Sequence, residues 1–138
     1  MTDALRPDVA ESLVAHGLNE ELGFEFIEVS GDKVVLEWDI TPKQHQPFGI
    51  VHGGVYCSAV ETAASLAAFV WLNGRGQAVG VSNHTDFLRS VSEGRMRATA
   101  TPIHRGRSQQ LWLVDIVDQD DKLTARGQVR LQNLTPPN

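Results

Sequence analysis

Cysteine is almost absent from this 138-residue sequence, in which Cys57 stands alone. One cysteine cannot close an internal disulfide, and no CxxC pair or Cys/His cluster offers a metal-ligand spacing. Excess positive charge is also missing. Twelve Lys and Arg residues stand against 17 Asp and Glu, a formal net charge of −5, which argues against nucleic acid as a partner because phosphate binding needs a basic surface. The first residues, Met-Thr-Asp-Ala-Leu-Arg-Pro-Asp, show no basic stretch followed by an apolar run. No secretory signal is expected, and a cytoplasmic location is the default. Long apolar runs are scarce. The best, Val55 to Leu72, is interrupted by Tyr56, Ser58, Glu61, Thr62 and Ser65 and has no positive flank, so it reads as a buried helix rather than a membrane span. With 41% hydrophobic and 21% charged residues, the chain has enough apolar surface for one folded domain over 1–138.

Hydrophobic periodicity divides the chain into one long helix among strands. Segment 1–21 is expected to be helical: Pro7 and Asp8 suit a helix start, Val9, Leu13 and Val14 form an apolar stripe, and Gly17 suits a stop. From Phe24 the period changes. Val34, Leu36, Trp38 and Ile40 alternate with Val35, Glu37 and Asp39, the pattern of a strand with one buried face. Thr41 to Gly49, with Pro42 and Pro47, reads as a loop; a helix is expected from about Gly53 to Leu72, ended by Asn73-Gly74-Arg75-Gly76. Strand signals follow over Val79–Val91, Arg95–Thr101, the Leu111–Ile116 run and Leu123–Gln132. The Leu111–Ile116 strand is apolar on both faces and is expected to be central. The short linkers Ser92-Glu93-Gly94, Arg105-Gly106-Arg107 and Asp118–Lys122 predict antiparallel neighbours. An antiparallel sheet carrying one helix is an α+β design. A helix apolar nearly all round needs cover that one sheet does not supply, which predicts a two-fold oligomer.

Between His52 and Arg75 the only charged residue is Glu61. Ser58, Glu61, Thr62 and Ser65 follow i, i+3, i+4, i+7 and therefore share one helical face. A polar stripe in a buried helix is costly unless every group is hydrogen-bonded, so Glu61 is a candidate general base. A partner arginine or open solvent would also account for a lone helical glutamate, but the apolar residues on either side favour the functional reading. Upstream, His52-Gly53-Gly54 places two glycines at the helix start, where free N–H groups and the helix dipole can stabilise an oxyanion. His52 reads equally well as a structural histidine or as a substrate contact.

The run His52-Gly53-Gly54-Val55-Tyr56-Cys57-Ser58-Ala59-Val60-Glu61 resembles the H-G-G-x(6)-[DE] motif of hotdog-fold acyl-CoA thioesterases. The likeness is to the phenylacetate-pathway type, which includes 4-hydroxybenzoyl-CoA and 1,4-dihydroxy-2-naphthoyl-CoA thioesterases. It extends to Asp86-Phe87-Leu88-Arg89-Ser90, Glu93-Gly94-Arg95, Pro102-Ile103-His104-Arg105-Gly106-Arg107 and Gln110-Leu111-Trp112. It implies an antiparallel sheet wrapped around one long helix, assembled as a homodimer or as a homotetramer built from two dimers.

The same resemblance implies roles. Glu61 would be the catalytic carboxylate, Gly53 the backbone donor to the thioester carbonyl, Gln46 a loop group orienting thioester or water, His52 the motif histidine and Ser65 a holder of the attacking water. Glu61 and Gly53 would come from opposite subunits. Gly80, Ser82, Phe87, Leu88, Arg89, Ser90, His104, Arg105, Gly106, Arg107, Ser108 and Gln109 match segments that contact coenzyme A, the arginines being suited to phosphate. At least one of Arg89, Arg105 and Arg107 is expected to be a plain surface residue. Phe87 stands where naphthoyl-type relatives have a histidine, which sets that substrate apart. The implied reaction is hydrolysis of an aryl- or fatty-acyl-CoA without metal or other cofactor. Dehydration of a 3-hydroxyacyl thioester, or non-catalytic acyl-CoA binding, is the alternative on the same fold.

Overall fold

The computed structural model describes residue 12 and residues 15–135. Apart from Ser12, the stretch expected to be an N-terminal helix lies outside the described residues until Ala15. A short helix α1 covers Gly17–Glu21, with Gly17 in left-handed backbone at its head. Then come β1 (Glu25–Val29), β2 (Val34–Asp39), a single 3-10 turn (Pro42–Gln44), the long helix α2 (Gly53–Leu72), β3 (Gln77–Phe87), β4 (Arg95–Arg105), β5 (Gln109–Val117) and β6 (Leu123–Leu134).

Helix α2 is bounded by its own chemistry. His52 is the N-cap, its Nδ1 accepting from the Gly54 N–H at 2.8 Å, and Asn73 ends the helix in left-handed backbone at φ 47°. Arg75 closes the last turn by donating to the carbonyls of Leu72 and Trp71 while lying over the Trp71 ring. By length and apolarity α2 could cross a membrane, yet 61% of its most apolar window is buried within the fold. It is the core helix.

All six strands join one antiparallel sheet in the order β1-β2-β4-β5-β6-β3. The alternation read from the sequence becomes an inward face of Leu36, Trp38, Met96, Ala98, Ala100, Trp112, Val114, Ile116, Ala125, Val129 and Leu131, all fully buried. Burying each large apolar side chain is worth roughly 1.5–3 kcal/mol. Ala59, Ala63, Ala64, Ala67 and Ala68 present the small face of α2 to this surface, so helix and sheet backbones can approach closely. Two buried glutamines bind the core to its rim: Gln44 accepts from Trp38 Nε1, and Gln110 accepts from Trp112 Nε1 and donates to Asn133 Oδ1.

One expectation fails. The linker around Ser92-Glu93-Gly94 does not join neighbours, because β4 lies between β2 and β5 while β3 pairs only with β6 at the far edge. Strand β3 also stops at Phe87, short of Val91. The N–H groups of Leu88 and Arg89 turn to the carbonyl of Thr124 instead. Residues 88–94 thus run as a crossover past the start of α2, where the Val51 N–H meets the carbonyl of Val91.

Candidate active site

The polar stripe of α2 lies on the side away from the inner strands, and each member has a partner. Ser58 donates back to the Gly54 carbonyl at 2.8 Å, and Thr62 donates to Asn19 Oδ1 of α1 at 2.8 Å. The Glu61 carboxylate is held at both oxygens. Ser65 Oγ donates to Oε2 at 3.2 Å, and Asn83 Nδ2 of β3 donates to Oε1 at 3.1 Å. A Cβ on Gly80 would overlap Glu61 Oε2, so the glycine leaves room for the carboxylate to lie flat against β3. Glu61, Thr62, Ser65, Phe69, Gln77 and Ala78 line a cavity of about 420 Å³.

Asn83 is the group that sequence reading missed, and the reason is local. Strict alternation from Gly80 would aim Ser82 at the helix. A β-bulge between Gly80 and Ser82 inserts Val81 and reverses the phase. Gly80, Asn83, Thr85 and Phe87 then pair with the inward residues Leu131, Val129, Gly127 and Ala125, whereas Ser82 pairs with exposed Arg130. Ser82 therefore sits on the outer face of the sheet, away from Glu61. The signal that could have revealed the bulge is the Val-Gly-Val-Ser sequence, in which a glycine interrupts an otherwise regular strand.

The start of α2 forms a second, separate cavity of about 290 Å³, lined by Gln46, Ile50, Val51, Gly53, Tyr56, Phe87, Leu88, Arg89 and Ser90. Its loop is self-braced. The Gln46 N–H donates to the Ile50 carbonyl, Gln46 Oε1 accepts from the Phe48 N–H, and His52 N–H donates to the Gln44 carbonyl. With Oε1 engaged, the Gln46 amide keeps its NH₂ end as the donor for a ligand. Gly53 lies against Phe87: a Cβ there would come within 2.7 Å of the ring, which would have to shift. His52 turns to the other side, capping Gly54 beside Lys43, Gln44 and His45. Tyr56 is 2% exposed, and its hydroxyl is the one buried side-chain polar atom without a partner among the described residues. Burial, aided by the negative charge of Asp118, pushes its pKa up to about 12.

The coenzyme A candidates divide in the same way. Phe87, Leu88, Arg89 and Ser90 stand at the N-terminal end of α2. Gly106 and Arg107 stand at its C-terminal end, in a cavity with Trp71, Arg75 and Asn133, and a 20-residue helix separates the two groups by about 30 Å. Of the three arginines, Arg105 is engaged within the chain: its Nη1 donates to Asp32 Oδ1 and to the Gly31 carbonyl, both at 2.7 Å. His104 lies exposed at the end of β4, Ser108 gives its carbonyl to the Asn133 N–H, and Gln109 donates to Gln132 Oε1. No group of three or more His, Cys, Asp or Glu side chains among the described residues is arranged to hold a metal ion.

Residues 48–125, more than half the chain, match the model of the thioesterase superfamily. The chain belongs to that superfamily. The thioesterase is 55% identical over 119 residues to Rv1847 of Mycobacterium tuberculosis, which bears an esterase name, with 84% of this chain and 85% of that protein covered. The solved structure of Rv1847 overlays with a TM-score of 0.85 at 54% identity, covering 87% of this chain and 98% of the other. It is 38% identical over 107 residues to a 1,4-dihydroxy-2-naphthoyl-CoA hydrolase of Listeria monocytogenes, covering 78% and 87% of the two chains. The thioesterase HI1161 of Haemophilus influenzae overlays with a TM-score of 0.91 at 29% identity, covering 97% and 94%. The fold is thus the hotdog fold expected from the motif, and the protein is an enzyme that hydrolyses thioesters.

Proposed function

We propose that the thioesterase hydrolyses an acyl-CoA ester, with Glu61 activating water or attacking the carbonyl and the Gly53 N–H stabilising the oxyanion. The observation that carries this reading is the Glu61 carboxylate, set against β3 by two uncharged donors at the wall of a 420 Å³ cavity. Uncharged donors orient a carboxylate without neutralising it, so it keeps its reactivity toward water or a thioester carbon. Ser65, already bonded to Oε2, is positioned to share the water; Gln46 and the start of α2 supply donors at the second cavity. Those backbone donors act where charge develops as the carbonyl becomes tetrahedral.

The two halves of this machinery need a second copy of the chain. Gly53 and Glu61 are eight residues apart on one helix, about 12 Å along the axis, and they line different cavities. One thioester cannot reach both in one subunit. Strand β3 offers a free edge, with Val79, Val81 and Phe87 exposed, and an open edge strand is a template for pairing. Antiparallel pairing of two β3 edges about a two-fold axis would run two α2 helices antiparallel, each N-terminus toward the middle of the other. We place the complete site there, in a homodimer or a tetramer of such dimers.

The test is release of free thiol, followed with a thiol dye, across benzoyl-, phenylacetyl-, naphthoyl-, medium-chain and long-chain CoA esters. At least one ester should be cleaved, and Glu61→Gln should lower kcat by about three orders of magnitude or more. Undiminished hydrolysis by Glu61→Gln sinks the assignment. Absorbance change on enoyl-CoA without thiol release would turn the reading to a dehydratase. Light scattering should give a dimer or tetramer, and an active monomer would refute the shared site.

A further inference from the structure

The bulge in β3 turns Asn83 toward helix α2 and the Glu61 carboxylate. Asn83 Nδ2 lies 3.1 Å from Glu61 Oε1 and 3.1 Å from the Cys57 carbonyl. Both neighbours are pure acceptors, so the atom facing them is the amide nitrogen, and its two hydrogens serve the two bonds. The other end of the amide is fixed as well, since Thr85 Oγ1 donates to Asn83 Oδ1 at 2.8 Å. Asn83 thus links the backbone of α2, one turn before Glu61, to the carboxylate itself. With Ser65 on the other oxygen and Gly80 beneath, the carboxylate has one defined plane.

We propose that Asn83 is a positioning residue for the Glu61 carboxylate, acting on catalysis through Glu61 alone. This rests on the reading of Glu61 as the reacting group. An unclamped glutamate has several rotamers and would present its oxygens to the thioester only part of the time. Asn83 removes that freedom while adding no charge. Because it is exposed in the single chain and lies on an edge strand, its loss leaves the core intact. The effect belongs in kcat rather than in KM, since Asn83 would orient the reacting group and not bind the substrate.

The test is a double-mutant cycle in the intact oligomer, using the best CoA ester of the panel above. Asn83→Leu, similar in volume and without donors, should lower kcat roughly 10- to 100-fold with KM unchanged. Asn83→Asp, which turns an acceptor toward Glu61, should lower it further. The Glu61→Gln/Asn83→Leu pair should be no slower than Glu61→Gln alone, because the clamp has nothing left to orient. A full extra loss in the double variant, or an unchanged kcat in Asn83→Leu with Glu61→Gln inactive, overturns the inference while leaving the reading of Glu61 in place. If Glu61→Gln is fully active, the reading of Glu61 fails and the inference fails with it. A crystal structure of Asn83→Leu gives a readout without activity. Glu61 should leave its seat against Gly80, and an unmoved carboxylate refutes the clamp.

Discussion

Strands β5 and β3 flank the same partner, β6, yet they are built on opposite terms. In β5, Gln110, Trp112, Val114 and Ile116 are buried in strict alternation, and the strand is paired on both edges. In β3 nine of eleven residues are exposed, one edge is open, and a bulge breaks the period. Burial stabilises β5; hydrogen bonds to β6 and contact with α2 must hold β3. The groups proposed for chemistry collect on the weaker strand: Gly80 and Asn83 seat Glu61, and Phe87 covers Gly53. The inner strands β4 and β6 also carry a bulge, at Pro102–His104, and a glycine, Gly127, so it is exposure and the open edge that set β3 apart.

The contrast can be broken from either side. On the buried side, Trp112→Ala should cost about 3–5 kcal/mol in urea unfolding, since it also leaves Gln110 Oε1 without the indole donor; a loss below about 1 kcal/mol would mean the core around β5 collapses to fill the space. On the exposed side, Gly80→Ala should fold with a nearly unchanged melting temperature, because the new methyl meets only the end of the Glu61 side chain and no backbone. Its kcat should still fall roughly 10- to 100-fold. An inactive and unfolded Gly80→Ala would erase the distinction between the strands.

Smaller effects sharpen it. On the outer face of the sheet, Arg95 and Arg97 of β4 hold Glu37 of β2. The hydrogen bond from Arg95 comes first among the causes that lower the Glu37 pKa from its ordinary 4.5. A carboxylate with a lowered folded-state pKa adds stability above its ordinary value and loses it as pH falls through the lowered one. Wild-type unfolding free energy should therefore fall below pH 4.5, and Glu37→Gln should flatten that decline while being less stable at neutral pH. Parallel acid limbs in the two proteins would show that Glu37 is not the group responsible. The smallest effect is expected at Tyr56, whose hydroxyl is buried without a partner. Tyr56→Phe should leave stability unchanged or raise it by less than about 1 kcal/mol, whereas a clear loss would reveal a bound water on the hydroxyl.

The elements themselves were legible because each is bounded by local chemistry. Helix α2 runs from Gly53 to Leu72 as the glycine pair and the Asn73-Gly74 stop implied, and the period-2 runs became β2, β4, β5 and β6. Glu61 and Ser65 could be placed together because helical spacing alone puts them on one face. The His52 cap was not separable from a substrate contact, since both use the same ring. The pairing of Arg105 with Asp32 was not legible, because the two lie 73 residues apart.

By itself, the sequence determined the helix, the inward faces of the strands, and a carboxylate placed where core packing alone would favour alanine. These depend on residue spacing and on capping groups within a few positions of each other. Only the tertiary structure decided that β3 leaves β4 to pair with β6, that Asn83 rather than Ser82 meets Glu61, and that Gly53 and Glu61 open into different cavities. Each of those outcomes depends on which distant strand is adjacent and on one extra residue in a ladder, and a single residue of register turns every following side chain to the opposite face.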